Sequence, residues 1–361
     1  MSESLLLIRD SFDPIGRGHL DLASAASLRL GCQVVFMPTK EGVAPALNRV
    51  QMLVMMLKKE HGVGYSIDPY EIDAEGKTSL LGSLRQIRLD NPHKTIYLAL
   101  GPKEINELGE NEIKYIPSLA KVLYIAGDGK LVPDGKKLSE LKVQRFPFGK
   151  IGDAYEENIR NLRSLDISLQ VRDYIEKHEL YYIKRLAAYL SPKRLRHSIS
   201  VANLAYFIAM KNKVVSPSQA YIAGLIHDIA KNVPEERARR LVKEYFPEIG
   251  LCPAWTLHQF VGPLFAQSEF GITDNEILEA VRFHATGKAH MSPIGKIIYS
   301  SDKIEPTRGF DSGDLIDACL KNYYIGFLTV LKANKEYLED KGYVPDNPFT
   351  KACFAIYLGD E

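Results

Sequence analysis

An α/β domain with a parallel sheet, followed by an all-α domain, is the fold class the sequence predicts, and three observations carry it. The chain has 361 residues, about twice the usual size of one domain. Its first half alternates short β-rich runs with helix-like segments, the pattern of a parallel sheet covered by helices on both faces. From about Leu186 onward the periods are helical, with turn signals between them. The boundary is expected within Val171–Leu190, giving domains over 1–182 and 186–361.

In the first half the expected strands are Ser4–Ile8, Gln33–Met37, Thr95–Leu100 and Lys121–Ile125. Between them lie expected helices at Asp21–Leu30, Arg49–Glu60 and Leu80–Leu89. In the second half Pro192, Ser216-Pro217 and the stretch from Gly250 to Pro253 punctuate the helices. Hydrophobic content of 45% and charged content of 25% are ordinary for a globular protein. Lys+Arg of 46 against Asp+Glu of 45 removes the electrostatic case for a nucleic-acid partner. Small anionic ligands need only a local basic pocket. The four cysteines are far apart and form no C-x-x-C pair, so neither a disulfide framework nor a zinc ribbon is expected. The apolar run Leu5–Ile8 is too short for a signal peptide or a membrane span, which gives the expectation of a cytoplasmic protein with no membrane partner.

The second half places ionisable residues on apolar helix faces. His197 is followed by Val201, Leu204 and Ala205 at +4, +7 and +8, so it shares the inward face of its helix. His227 and Asp228 lie in the almost wholly apolar run from Ala223 to Lys231. His284 follows Ala280 and Val281 by one turn, Asp302 follows Ile298 likewise, and His258 stands near Val261 and Leu264. A lone histidine on an apolar face is usually a core residue. Two carboxylates and four histidines together are not, because a buried carboxylate needs a compensating cation. A divalent metal ion offsets the carboxylates, and neutral imidazoles complete its coordination.

The order His197, His227-Asp228, His258, His284, Asp302 resembles the HD-domain phosphohydrolases. The words around these residues, from Arg196 to Ala202, Ala223 to Lys231, His258 to Pro263, Phe283 to Lys288 and Ile298 to Arg308, are similar to the YqeK-type HD-domain symmetrical diadenosine tetraphosphate hydrolases. The resemblance covers roughly Leu186 to Leu358. It implies a catalytic site of two divalent metal ions, iron by preference, with manganese or cobalt as alternatives. One ion takes His197, His227, Asp228 and Asp302, the other takes His258 and His284, and Asp228 bridges them. Lys231, one turn after His227, can share the cavity, act on phosphate and assist catalysis. Arg308 can bind two phosphate oxygens through its fork. Thr286-Gly287 reads either as a turn that lets substrate approach or as a plain helix stop, with Lys288 as a further phosphate contact. His178 and His290 fit no ligand position.

In the first half, Ser11 to Leu20 (SFDPIGRGHL) follows the first strand and opens a helix, the setting of a phosphate cradle at a helix N-terminus. The stretch resembles the nucleotidyltransferases, in particular bacterial nicotinate mononucleotide adenylyltransferases, over about residues 4–182. The resemblance implies a Rossmann-like nucleotidyltransferase domain with Ser11, Phe12, Asp13, His19 and Arg160 at its nucleotide site. Five departures point to lost adenylyl transfer. Arg9-Asp10 replaces a Gly-rich turn, and Gly16 stands where the first histidine of the H-x-G-H pair belongs. Gly101-Pro102-Lys103 lacks the family's aspartate, Leu80 to Leu84 replaces a Thr-x-Asp-Thr-Leu start, and Gly152 to Tyr155 replaces a phosphate loop.

The leading expectation is a hydrolase that cuts diadenosine tetraphosphate into two ADP molecules. A bifunctional enzyme that also adenylylates nicotinate mononucleotide is the first alternative, supported by His19, Asp13 and Arg160. A nucleotide-binding sensor without turnover is the second. For the first domain the choices are nucleotide binding that regulates the hydrolase, or support of a homodimer.

Overall fold

The computed structural model describes residues 3–58, 64–127, 129, 131–149, 151, 154–343 and 347–359. The chain divides into two compact units, Met1–Tyr181 and Tyr182–Glu361.

The first unit is a six-stranded parallel sheet in the order β3-β2-β1-β4-β5-β6. Its strands are β1 Ser4–Asp10, β2 Gln33–Pro38, β3 Tyr65–Ile67, β4 Thr95–Leu100, β5 Lys121–Ile125 and β6 Gln144–Phe146. The helices of this unit are α1 Arg17–Leu30, α2 Ala46–Leu57, α3 Tyr70–Asp73, α4 Leu80–Asp90, α5 Pro102–Glu107, α6 Glu110–Leu119, α7 Gly135–Glu140, α8 Tyr155–Arg160 and α9 Leu169–Lys177. Leu6 pairs with Val34 on one side and with Tyr97 on the other, and Leu5, Leu6 and Leu7 are buried. A strand covered on both faces therefore reads as a continuous apolar run. This order is the doubly wound Rossmann arrangement, whose ligand crevice opens between the C-terminal ends of β1 and β4. The four expected strands and three expected helices are all present. Lys59 and Glu60, at the end of the second expected helix, and Gly152-Asp153 lie outside the described residues.

α10 Tyr181–Leu186 spans the division between the units. The second unit is then helical throughout its described residues, with α11 Pro192–Asn212, α12 Pro217–Ile226, α13 Glu235–Tyr245, α14 Leu257–Phe270, α15 Asn275–Phe283, α16 Pro293–Ile304, α17 Gly313–Lys321, α18 Tyr323–Asp340 and α19 Pro348–Leu358. Capping fixes the starts of the helices that carry the site. Ser191 accepts from the Arg194 N–H ahead of Pro192, and Ser292 accepts from the Gly295 N–H ahead of Pro293. Asp274 accepts from the N–H groups of Glu276 and Ile277 at the start of α15. α11 and α12 pack closely because Gly224 lies against the backbone of Ala202. No described helix is long and apolar enough to cross a membrane. All four cysteines are free and buried.

Candidate metal centre

Five helices deliver the six ionisable residues to one place. His197 comes from α11 and His258 from the first turn of α14. His227 and Asp228 follow the last residue of α12, and His284 follows the last residue of α15. Asp302 comes from the last turn of α16. They line one cavity of about 930 Å³, save for His227, which is fully buried behind it.

Asp228 divides the group. Its Oδ1 lies 3.2 Å from His258 Nε2 and 3.6 Å from His284 Nε2, while its Oδ2 lies 3.9 Å from His227 Nε2. Asp302 Oδ1 lies 3.1 Å from His197 Nε2 and 3.6 Å from His227 Nε2. Two sets of potential metal donors result, His197, His227 and Asp228 in one and Asp228, His258 and His284 in the other. Although burial alone would raise them, neighbouring groups hold both aspartates well below the usual carboxylate range. The imidazole of His227 does most for Asp228, and the ammonium of Lys303 does most for Asp302. Burial pushes His258 down and takes His284 to about 3, so both rings are neutral at physiological pH.

Hydrogen bonds at the far side of each ring set the tautomers. His227 Nδ1 is 2.7 Å from the Gly224 carbonyl, and His284 Nδ1 is 2.7 Å from the Val281 carbonyl. A carbonyl only accepts, so Nδ1 carries a hydrogen in both rings, and in the neutral His284 ring Nε2 presents a lone pair. His197 donates from Nδ1 to Glu305 Oε1 at 2.8 Å, the carboxylate–histidine pairing that orients metal ligands. The lone pair of His284 thus faces Asp228 Oδ1 at 3.6 Å, acceptor against acceptor, and His227 Nε2 stands 3.6 Å from Asp302 Oδ1. His227 Nε2 is buried with no hydrogen-bond partner. A cation among them makes such an arrangement favourable. The separations also suit one: with metal–ligand bonds of about 2.0–2.2 Å, two donors on one ion stand roughly 3–3.5 Å apart.

The HD domain family matches residues 194–307, a span that contains all six residues. A symmetrical bis(5'-nucleosyl)-tetraphosphatase of Bacillus subtilis is 35% identical over 127 residues, covering 35% of this chain and 68% of that protein. By its second unit, the chain belongs to the HD-domain family of symmetrical Ap4A hydrolases. A Mycoplasma genitalium protein described as a probable nicotinate-nucleotide adenylyltransferase/Ap4A hydrolase is 26% identical over 357 residues, 94% of this chain and 100% of its own length. A probable nicotinate-nucleotide adenylyltransferase of Listeria innocua is 23% identical over 189 residues, 50% of this chain and 98% of its own. The first half therefore matches adenylyltransferases, and the HD domain marks the second as a divalent-metal-binding unit.

Cations ring the acidic centre of the HD domain. Lys231 Nζ lies 3.0 Å from His258 Nε2 and 3.8 Å from Asp228 Oδ1, and burial lowers its pKa. Lys303 and Arg308 each approach Asp302 to 2.7 Å, and Arg194 lies 3.5 Å from Asp228. Thr286, Gly287 and Lys288 do not line this cavity, contrary to the expectation that they meet substrate. Thr286 is buried, and its N–H and hydroxyl bond to Gln259. Gly287 takes φ +66 with Cys353 packed against it, the geometry of a helix stop. Lys288 pairs with Glu279 at 3.3 Å. Glu305, which caps the end of α16 three residues after Asp302, and Arg194, in the first turn of α11, are site residues that the sequence alone did not single out.

In the first unit the expected phosphate cradle is filled from within. The Arg17 N–H bonds the Asp166 carbonyl at 2.8 Å. The Gly18 N–H bonds Tyr155 Oη at 2.8 Å and Asp166 Oδ2 at 3.2 Å. The Gly16 N–H goes to His19 Nδ1 at 3.0 Å, and Glu156 accepts from the Ser11 hydroxyl and, at 2.7 Å, the Asp13 N–H. A side chain at Gly16 would collide with the Tyr155 hydroxyl and the Asp166 carbonyl. Ser11, Asp13 and Arg160 line a cavity of about 370 Å³ at the end of β1 and β4. Yet Asp13 is buried and committed to Tyr181 Oη at 2.6 Å and to the Val43 and Ala44 N–H groups. Arg160 donates to the Asp13 carbonyl. Phe12 is buried against the rings of His19 and Phe36, and His19 lies 1% exposed with Nε2 3.5 Å from Asp10 and 4.0 Å from Glu156. Neither Phe12 nor His19 lines this cavity.

Proposed function

We propose that the protein hydrolyses diadenosine tetraphosphate symmetrically to two molecules of ADP, at a centre of two divalent metal ions held by His197, His227, Asp228, His258, His284 and Asp302. The observation that carries the reading is the set of imidazoles whose Nε2 atoms are held facing the aspartates, with the two oxygens of Asp228 turned to different histidines. The name of the Bacillus relative supplies a symmetrically cleaved dinucleoside tetraphosphate, and the name of the Mycoplasma relative supplies the adenosine. Bound divalent ions supply Lewis acidity toward water and phosphoryl oxygens. The chain's own residues do the rest. Glu305 and the carbonyls of Gly224 and Val281 orient the rings. Lys231, Arg308, Lys303 and Arg194 receive the polyphosphate, and when it binds Arg308 and Lys303 exchange Asp302 for phosphate oxygens. Water adds at phosphorus, the central anhydride bond breaks, and each half leaves as ADP.

The test is an assay of protein reconstituted in parallel with iron(II), manganese and cobalt, with products resolved by chromatography. ADP as the sole product is expected. Asp228→Ala is expected to lose at least a thousandfold in rate, an order-of-magnitude figure, and to bind less metal. A fully metallated, active Asp228→Ala protein would refute the assignment.

The name of the Mycoplasma relative favours a second reading, adenylyl transfer in the first unit. The filled cradle weighs against it, and we infer that this unit transfers nothing. The same protein supplied with ATP and nicotinate mononucleotide is expected to release no pyrophosphate.

A further inference from the structure

We propose that the pocket between the end of α16, α17 and α18 binds the base of the nucleotide, and that Asn334 selects a 6-aminopurine there. The proposal rests on the hydrolase reading and extends it to specificity.

The pocket has a volume of about 530 Å³, enough for a purine. Its floor includes the buried side chains of Ile304 and Val330. Phe310 and Tyr337 stand on its wall, 51% and 59% exposed. Exposed aromatic rings beside an apolar hollow are what a planar base stacks on.

The pocket adjoins the metal centre in the order a nucleotide requires. Lys303, Arg308 and Asn334 line both cavities. Lys303 and Arg308 touch Asp302, so the cations stand between the metal ligands and the aromatic hollow. A polyphosphate held at the centre and passing over these cations delivers its base to Phe310 and Tyr337.

Asn334 supplies the polar reading. Its Nδ2 donates to Tyr299 Oη at 3.0 Å, and Tyr299 is buried, so the amide is held by one end. Its Oδ1 has no protein partner among the described residues. An acceptor that meets the position-6 edge of the base receives an amine there and opposes a carbonyl, while guanine's own amine stands at position 2. Adenine presents an amine at position 6, and guanine presents an oxygen.

The experiment uses the full chain loaded with manganese, and compares kcat/KM for diadenosine and diguanosine tetraphosphate beside calorimetric binding of ADP and GDP. The wild type is expected to prefer the adenine compounds by about tenfold, the scale of one unmatched polar contact. Asn334→Leu is expected to abolish the preference. Phe310→Ala and Tyr337→Ala are expected to weaken ADP binding and raise KM by about tenfold, the scale of lost base stacking, with kcat little changed. Near-normal KM and ADP affinity in both ring variants, or a wild-type preference for guanine, overturns the pocket assignment while leaving the hydrolase intact. If the wild type cleaves neither compound but ADP binding still depends on Phe310 and Asn334, the hydrolase reading fails and the base pocket stands. No ADP binding at all overturns the pocket.

Discussion

Glu156 shows how far one buried carboxylate can be read as a measurement. Burial holds its carboxyl up at about 7, with Asp10 adding to the rise and His19 opposing it. A folded value above the ordinary 4.5 means that its contribution to stability is full below about 4.5 and is lost as pH rises through about 7. His19 is shifted upward too: burial opposes its charge, but Asp10 outweighs that, so it acts in the same sense. The first unit should therefore lose stability between about pH 5 and about pH 8, and Glu156→Gln should flatten that slope. Thermal unfolding across this range checks it, and an unchanged slope in the variant sinks it. At this scale the sequence revealed what is expensive in isolation, the ionisable residues of the second unit on apolar faces. It did not reveal what depends on distant partners. Gly16 reads as a lost histidine, yet its lack of a side chain makes room for Tyr155, far along the chain, and nothing local signals that fit.

In the first unit, helices of 11 or more residues and strands of five or more were legible as elements. β3 and β6 were not, because three-residue strands carry no period long enough to detect, and α8, whose Tyr155 and Glu156 fill the cradle, is only six residues long. The contact of α11 with α12 has a consequence at this scale. A Cβ on Gly224 would come within 3.0 Å of the Ala202 backbone, which cannot yield as a side chain can. Gly224→Ala should destabilise the second unit by about 1–3 kcal/mol. It should also weaken metal binding, since α11 carries His197 and α12 leads into His227 and Asp228. Gly135→Ala, in α7, is the control, because nothing lies within 4 Å of its added Cβ. Equal unfolding midpoints and metal affinities for Gly224→Ala and wild type would show that the helices separate freely.

For the whole molecule, the change of texture near Leu186 anticipated a change of architecture, because a parallel sheet and a helical unit bury apolar residues at different periods. The sequence could not show that the two units also differ in what holds their buried charge. In the first, Asp13 and Glu156 are satisfied by hydrogen bonds from the chain itself. In the second, the neutral His284 ring turns a lone pair toward Asp228, which also accepts, and the buried His227 Nε2 faces Asp302 with no hydrogen-bond partner, an arrangement that a bound cation makes favourable. A ligand that binds only the folded form stabilises it by mass action, by about 4 kcal/mol at a thousand times its dissociation constant. For a unit of this size that corresponds to a midpoint shift on the order of 10 °C. Stripping metal with a chelator should therefore lower one unfolding transition by that amount and leave the other in place. Calorimetry of the full chain distinguishes the outcomes, with Asp228→Ala as the reference that chelation should no longer affect. Equal shifts in both transitions would mean that metal supports the first unit as well, and no shift would mean that Lys231, Lys303, Arg194 and Arg308 alone suffice to hold the two aspartates.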